Sequence, residues 1–442
     1  MDNTKLVVIA LVAVLLIGGG AIALTNSGHD DENDPDDSWR NYQVPIFGNA
    51  NNDTVIDDDD IDTIKKVSLG ILESKDYPFA DADRNGSVDD KDVEVVKKII
   101  AGENTDVYFY DQDSDVVKIS YPLKNICTIN TDMTSLVAFF GGASKIAGYV
   151  SSPSKYPVTF KLVEDKVLLN TGRQLKDDGY VNAINLNTEL KDEGGIGAWV
   201  VDRDNAFLDK YDDVVASGVP IIHIRCTDPT LSNQGALLLG TLMGGDVQET
   251  CHSYYKDCTK KLTELDALLD SVPDNKKKTF VAMTMVKYIA GDESQYDSFG
   301  RNAGGISVTD IKEDDSKKLE TKEAITEYDT SANYLLNCAT MDLVKVPAAK
   351  YFEHKNIGYL DKSVHFDDDT LVFINMSIPL PCRVVYAAAV MYPDVVSMEF
   401  ADAFFQDIVD KYLPFLGADF DVTEDISTVI VYSDYAAEKA AA

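Results

Sequence analysis

Oxygen-bearing side chains fall at positions 1, 3, 5, 9 and 12 of two twelve-residue stretches, a spacing that lets a short loop wrap a hard cation. The first stretch supplies Asn49, Asn51, Asp53, Asp57 and Asp60; the second supplies Asp81, Asp83, Asn85, Asp89 and Asp92. At position 7 the main-chain carbonyl does the work, here from Val55 and Ser87. Each copy has an aliphatic residue at position 8 (Ile56, Val88) and runs into an amphipathic segment, Ile61 to Val67 and Val93 to Ile100. A run such as Asp57 to Asp60 is, taken alone, as well read as a solvated charge cluster. The repeat 32 residues on, with Gly86 where the loop must turn sharply, favours two Ca2+ sites instead. The first loop carries Asn at position 1 and Thr54 at position 6, so it should bind the more weakly.

A loop followed by a single helix, present twice, resembles a dockerin module rather than a full EF-hand pair. The resemblance implies an all-α attachment device, with a cohesin-like surface partner. Positions 10 and 11, which commonly help dockerins dock, are Asp58-Asp59 and Asp90-Lys91. Those charges depart from the usual docking surface, and a calcium-rigidified spacer is the alternative role.

Something must carry that module, and something else must do the work. The 442 residues allow two or three domains. A net charge of −35 argues against nucleic acid, whose phosphates it would repel. Leu6 to Leu24 is a run of nineteen apolar or glycine residues behind Lys5, long enough to span a bilayer. A transmembrane anchor is expected over residues 1–25, with a signal cleaved near Ala21-Ile-Ala23 as the alternative. Lys5 on one side and acidic residues on the other place the body outside the cell. Residues 26–43 read as an acidic tether and residues 44–104 as the calcium module, closed by Gly102 as a helix cap. Cys251 and Cys258 stand seven apart on a helix, too far to bridge each other.

From residue 105 the pattern is a β-hairpin, Val107 to Tyr110 and Val116 to Tyr121, and then short apolar runs alternating with helical ones. Strands are expected at Ile126–Ile129, Ala198–Val201, Val219–Ile224, Phe280–Met285 and Leu371–Ile374. A single long helix, Val247 to Val272, has apolar residues spaced three and four apart. The implied division is an N-terminal lobe over 105–246, a linking helix over 247–273 and a C-terminal lobe over 274–442.

One α/β half, one long helix and a second α/β half resemble the metal-chelate class of transporter substrate-binding proteins, class III. The stretches that carry the likeness are Ser120-Tyr-Pro122, Thr128 to Gly148, Gly218 to Ile222, Leu239 to Gly244, Ser298 to Gly305 and Tyr386 to Pro393. The resemblance implies capture of a siderophore, haem or corrinoid between the lobes for an ABC-transporter permease, without chemistry on the ligand. Thr131, Asp132, Met133 and Thr134, between a strand and a helix, are candidate ligand contacts; Thr131 or Asp132 serves equally well as a helix cap. Arg225, Arg301 and Arg383 are candidates because guanidinium suits the carboxylates of such ligands, although surface ion pairing is the commoner use. Tyr288 is a candidate for stacking on a flat ligand or for plain packing. His223, inside a strand, reads as a satisfied core residue ahead of a metal ligand. A dockerin-borne polysaccharide-active enzyme is the rival reading, disfavoured because Trp199 is the only tryptophan past the tether. A surface-assembly protein is the third.

Overall fold

The computed structural model describes residues 42–442 apart from 203–206, 210, 285–286, 292–293, 310, 312–315, 340 and 354–356. The expected anchor and most of the tether lie outside the described residues. Among those described, no helix is long and apolar enough to cross a membrane.

Residues 44–104 form two loop–helix units, α1 (Asp58–Ser68) and α2 (Asp90–Ile100). Positions 9 and 12 of each candidate cation loop double as helix starts: Asp57 with Asp60, and Asp89 with Asp92, form capping boxes. Gly102, at φ +67°, lies just past the C-cap Ala101, as the sequence predicts. The pair is seated on the body rather than strung before it. Ile46 bridges Phe109 in the hairpin β1 (Thr105–Tyr110) and β2 (Val116–Tyr121), and the Tyr121 hydroxyl donates to the Ile99 carbonyl at 3.1 Å.

Lobe 1 is a five-stranded parallel sheet in the order β5-β4-β3-β6-β7. Its strands are β3 (Ile126–Ile129), β4 (Ile146–Ser151), β5 (Val167–Thr171), β6 (Ala198–Val201) and β7 (Ile221–His223), with helices α3 (Thr131–Phe139), α4 (Asp177–Glu189) and α5 (Tyr211–Ala216) between them. Strands β3 and β6 are buried along their whole length, which is why they read as unbroken apolar runs. The strand expected from Val219 is shorter, because Gly218 sits at φ +74° and Pro220 has no N–H to give a ladder.

Two antiparallel helices join the lobes, α6 (Pro229–Met243) and α7 (Gly245–Leu269), turning at Gly244 with φ +65°. Gly240 lets them touch: a Cβ there would lie 2.4 Å from that of Cys251. The long helix is therefore present, two residues earlier at its start than its apolar spacing indicates. All six cysteines are free and buried.

Lobe 2 has β8 (Thr279–Thr284), β12 (Tyr334–Ala339) and β13 (Leu371–Asn375) as a parallel centre. Antiparallel β9 (Tyr288–Ala290), β11 (Ser316–Lys318) and β14 (Val429–Ile430) flank it, and β10 (Ile306–Ser307) pairs with the start of β8. The main helices here are α8 (Gln295–Asn302), α11 (Leu380–Met391) and α12 (Met398–Tyr412); α9 (Thr326–Asp329) and α10 (Ala349–Phe352) are single turns, and α13 (Tyr432–Ala441) ends the chain. The chain thus forms two α/β lobes joined through the helix pair α6–α7, of which α7 is the expected long helix.

Candidate functional site

In parallel sheets, ligands bind where strands end and helices begin. Lobe 1 offers the β3–α3 turn there. Asn130, at φ +78°, caps α3 by accepting from the Met133 N–H at 2.9 Å, while its buried Nδ2 has no hydrogen-bond partner among the described residues. Thr131 and Ser151 share a hydroxyl hydrogen bond of 2.7 Å. Thr134 bonds to the Asn130 carbonyl and to Thr128, and Met133 is fully buried in the core. Of the four predicted residues, Asp132 is the one brought against lobe 2, where its carboxylate lies 3.8 Å from the Arg383 guanidinium.

Arg383, on the first turn of α11, is itself buried. Its Nε donates to the Ile378 carbonyl at 2.8 Å, and a terminal nitrogen donates to the Met376 carbonyl. Beside it Asn375 donates to the carbonyls of Asp342 and Ser427 at 2.8 and 2.9 Å. Asp342 then reaches across the divide. Its carboxylate accepts from the Val158 N–H (2.8 Å), the Thr159 N–H (3.1 Å) and the Thr159 hydroxyl (2.8 Å). Lobe 1 and lobe 2 are clasped.

Between them, lined by Asp132, Cys226, Tyr254 and Arg383, lies a cavity of about 20 Å³. That is room for about one water. Burial, followed by the nearby Asp202 and Asp132 carboxylates, pushes the Cys226 thiol well up, and burial does the same to Cys338. Neither is a nucleophile in this state. Burial also raises the Tyr296 hydroxyl, which stands within electrostatic reach of Arg173 and Asp132 of lobe 1. Asp342, Thr159, Cys226 and Tyr296 carry no local signal; they meet only through folding.

The remaining candidates separate. Arg225 follows β7 but pairs with Asp113 of the hairpin at 3.0 Å. Tyr288 opens β9 opposite Thr284, with the Lys287 amine 5.5 Å from its ring centre. Arg301 sits at the far end of α8, ion-paired to Asp297, and lines an open hollow of about 560 Å³ with Lys277 and Tyr392. That hollow lies where β8 begins, at the edge of the sheet opposite the cleft.

The two candidate cation loops differ from each other. In the second, carboxylate oxygens of Asp81, Asp83 and Asp92 lie within 4.8 Å of one another, a donor set suited to Ca2+. Gly86, at φ +93°, donates to Asp81 at 2.9 Å and closes the turn. In the first, Asn49 spends its amide on the Val44 and Asp53 carbonyls, both at 2.8 Å. The Asp60 carboxyl is pushed up to about 8, chiefly by burial and then by Asp53 and Asp57, against the pull of two main-chain N–H donors. A cation among these oxygens would lower it again. Asn51, Val55 and Asp57 lie in the first loop and Asn85, Ser87 and Asp89 in the second.

No protein-family model matches the chain, and no curated protein does. Solved structures do. A TroA-like periplasmic binding protein, FepB, from Veillonella parvula aligns with 73% of this chain and 99% of its own, at 14% identity and a TM-score of 0.53. The periplasmic binding protein MolA of Haemophilus influenzae, solved with molybdate, aligns over 71% and 99% at 13% identity and TM-score 0.52. CeuE of Helicobacter pylori, solved as a nickel–histidine complex, aligns over 72% and 98% at 12% identity and TM-score 0.52. These likenesses show the fold alone: a mixed α/β fold matching that of the class III substrate-binding proteins.

Proposed function

We propose that this chain is an extracytoplasmic solute-binding protein that captures a metal chelate, haem or corrinoid and delivers it to an ABC-transporter permease. The observation that carries the reading is the facing of Asp132 and Arg383 across two lobes joined by one long helix pair, with Asp342 clasping the same divide. Such a site works by closure, not by chemistry. A cavity of about 20 Å³ cannot hold a chelate, so loading requires the Asp342–Thr159 clasp to part, and the buried Arg383 then meets a ligand carboxylate. Membrane tethering at the N-terminus keeps the protein beside its permease. The dockerin-like module binds two Ca2+ ions, the tighter through Asp81, Asp83 and Asp92, and holds the binding domain off the membrane or to a cohesin-like partner. The test is a thermal-shift panel of haem, cobalamin and ferric siderophores on the full chain; no response to any of them overturns the ligand class.

A further inference from the structure

The hairpin tip between β1 and β2 is Asp111-Gln-Asp-Ser-Asp115, and it repeats the opening of both calcium loops. In each, the fifth residue's N–H donates to the first residue's side-chain oxygen: Asp53 to Asn49 at 3.3 Å, Asn85 to Asp81 at 3.0 Å and Asp115 to Asp111 at 2.9 Å. In each, the fourth residue is left-handed: Asn52 at φ +61°, Arg84 at +55° and Ser114 at +65°. Shared turn geometry alone is only a way of bending a chain.

What distinguishes the hairpin is a donor from another part of the fold. His223, at the end of β7, is buried and places Nδ1 2.8 Å from the Asp111 Oδ2. Donor atoms of Asp111, Asp115 and His223 all lie within 4.8 Å of one another. At metal–ligand distances of about 2.0–2.2 Å, two donors 2.8 Å apart subtend roughly a right angle at a common ion. One imidazole with two carboxylates is neither the all-oxygen set that Ca2+ takes nor the thiolate set of structural zinc; it suits a divalent first-row transition ion. Asp113 is withdrawn from the set by Arg225, at 3.0 Å.

We infer that Asp111, Asp115 and His223 form a third cation site, for a divalent transition metal such as Zn2+ or Mn2+. The ion takes the place of the proton that otherwise joins Nδ1 to Asp111. It fastens the hairpin to the end of β7, where Gln112 already bonds to the main chain of His223 and Arg225 at 3.1 and 2.7 Å. Three residues further on, Cys226 lines the cleft.

The test is calorimetric titration of Zn2+ and of Mn2+ into the full chain already saturated with Ca2+. One further equivalent should bind, and Asp115→Asn, at an exposed tip position that leaves the core untouched, should weaken it at least about tenfold, the scale of losses at metal sites. His223→Gln should do the same. Absence of an added equivalent with either ion, or an equivalent unaffected by Asp115→Asn, overturns the assignment. Either result leaves the calcium loops and the cleft to be judged on their own tests.

Discussion

The carboxylate of Asp342 in lobe 2 accepts both the main-chain N–H and the hydroxyl of Thr159 in lobe 1, at 3.1 and 2.8 Å. Those residues are 183 positions apart, and with the Val158 N–H, at 2.8 Å, they form a polar link across the divide. Asp342 is held for this task by its own carbonyl, which accepts from Asn375 at 2.8 Å, and by a left-handed backbone at φ +58°, a conformation that aspartate tolerates better than most residues.

Loosening this clasp should open the protein. Asp342→Asn keeps the backbone preference but replaces one acceptor with a donor facing N–H groups. A loss of about 1–2 kcal/mol shifts the open–closed balance roughly tenfold. Small-angle scattering of the ligand-free protein should report a larger radius of gyration; an unchanged radius contradicts the role.

Arg383 and Asp132 should respond unequally to substitution. The arginine is buried and held by two carbonyls, so Arg383→Lys, which cannot span both, should cost about 2–3 kcal/mol. The carboxylate is 3.8 Å away and part-exposed, so Asp132→Asn should cost under about 1 kcal/mol. Denaturant unfolding measures both, and equal losses contradict the assignment.

Calcium should stabilise the module mainly through its second loop. A ligand at a hundredfold its Kd adds about 2.7 kcal/mol, so a chelator should lower the melting temperature of the module. Asp83→Asn should abolish more of that calcium response than Asp53→Asn does, because only the second loop brings three carboxylates together among the described residues. The reverse order contradicts it.

Asn49 offers a sharper test. Changing it to the more usual aspartate should not improve the first loop in the absence of calcium. Asn49→Asp removes two donors and sets a carboxylate against the carbonyls of Val44 and Asp53, at a cost of about 1–3 kcal/mol. A higher melting temperature in chelator contradicts this.

Much of the fold is legible locally. Buried parallel strands are unbroken apolar runs, and Ile126–Ile129 and Ala198–Val201 fall where those runs are. The linking helix shows in its three-and-four spacing. Position along a crossover is what a local pattern leaves open. A helix returns from the strand-end edge to the opposite edge, so residues at its start, such as Asp132 and Arg383, stay at the cleft. Arg301, at the end of α8, is carried to the far side with Lys277. The Asp342–Thr159 clasp and the meeting of Asp111 with His223 join residues over a hundred positions apart. In a chain with 75 acidic residues nothing marks those aspartates out beforehand.

Closure of the two lobes on a chelate is the event to be measured. Its most direct measurement is the melting temperature of the full chain with haem, cobalamin or a ferric siderophore, run alongside Arg383→Lys. At least one ligand should raise the wild-type value, and the substitution should remove most of that rise. A flat response across the whole panel, or a rise indifferent to Arg383, contradicts the account.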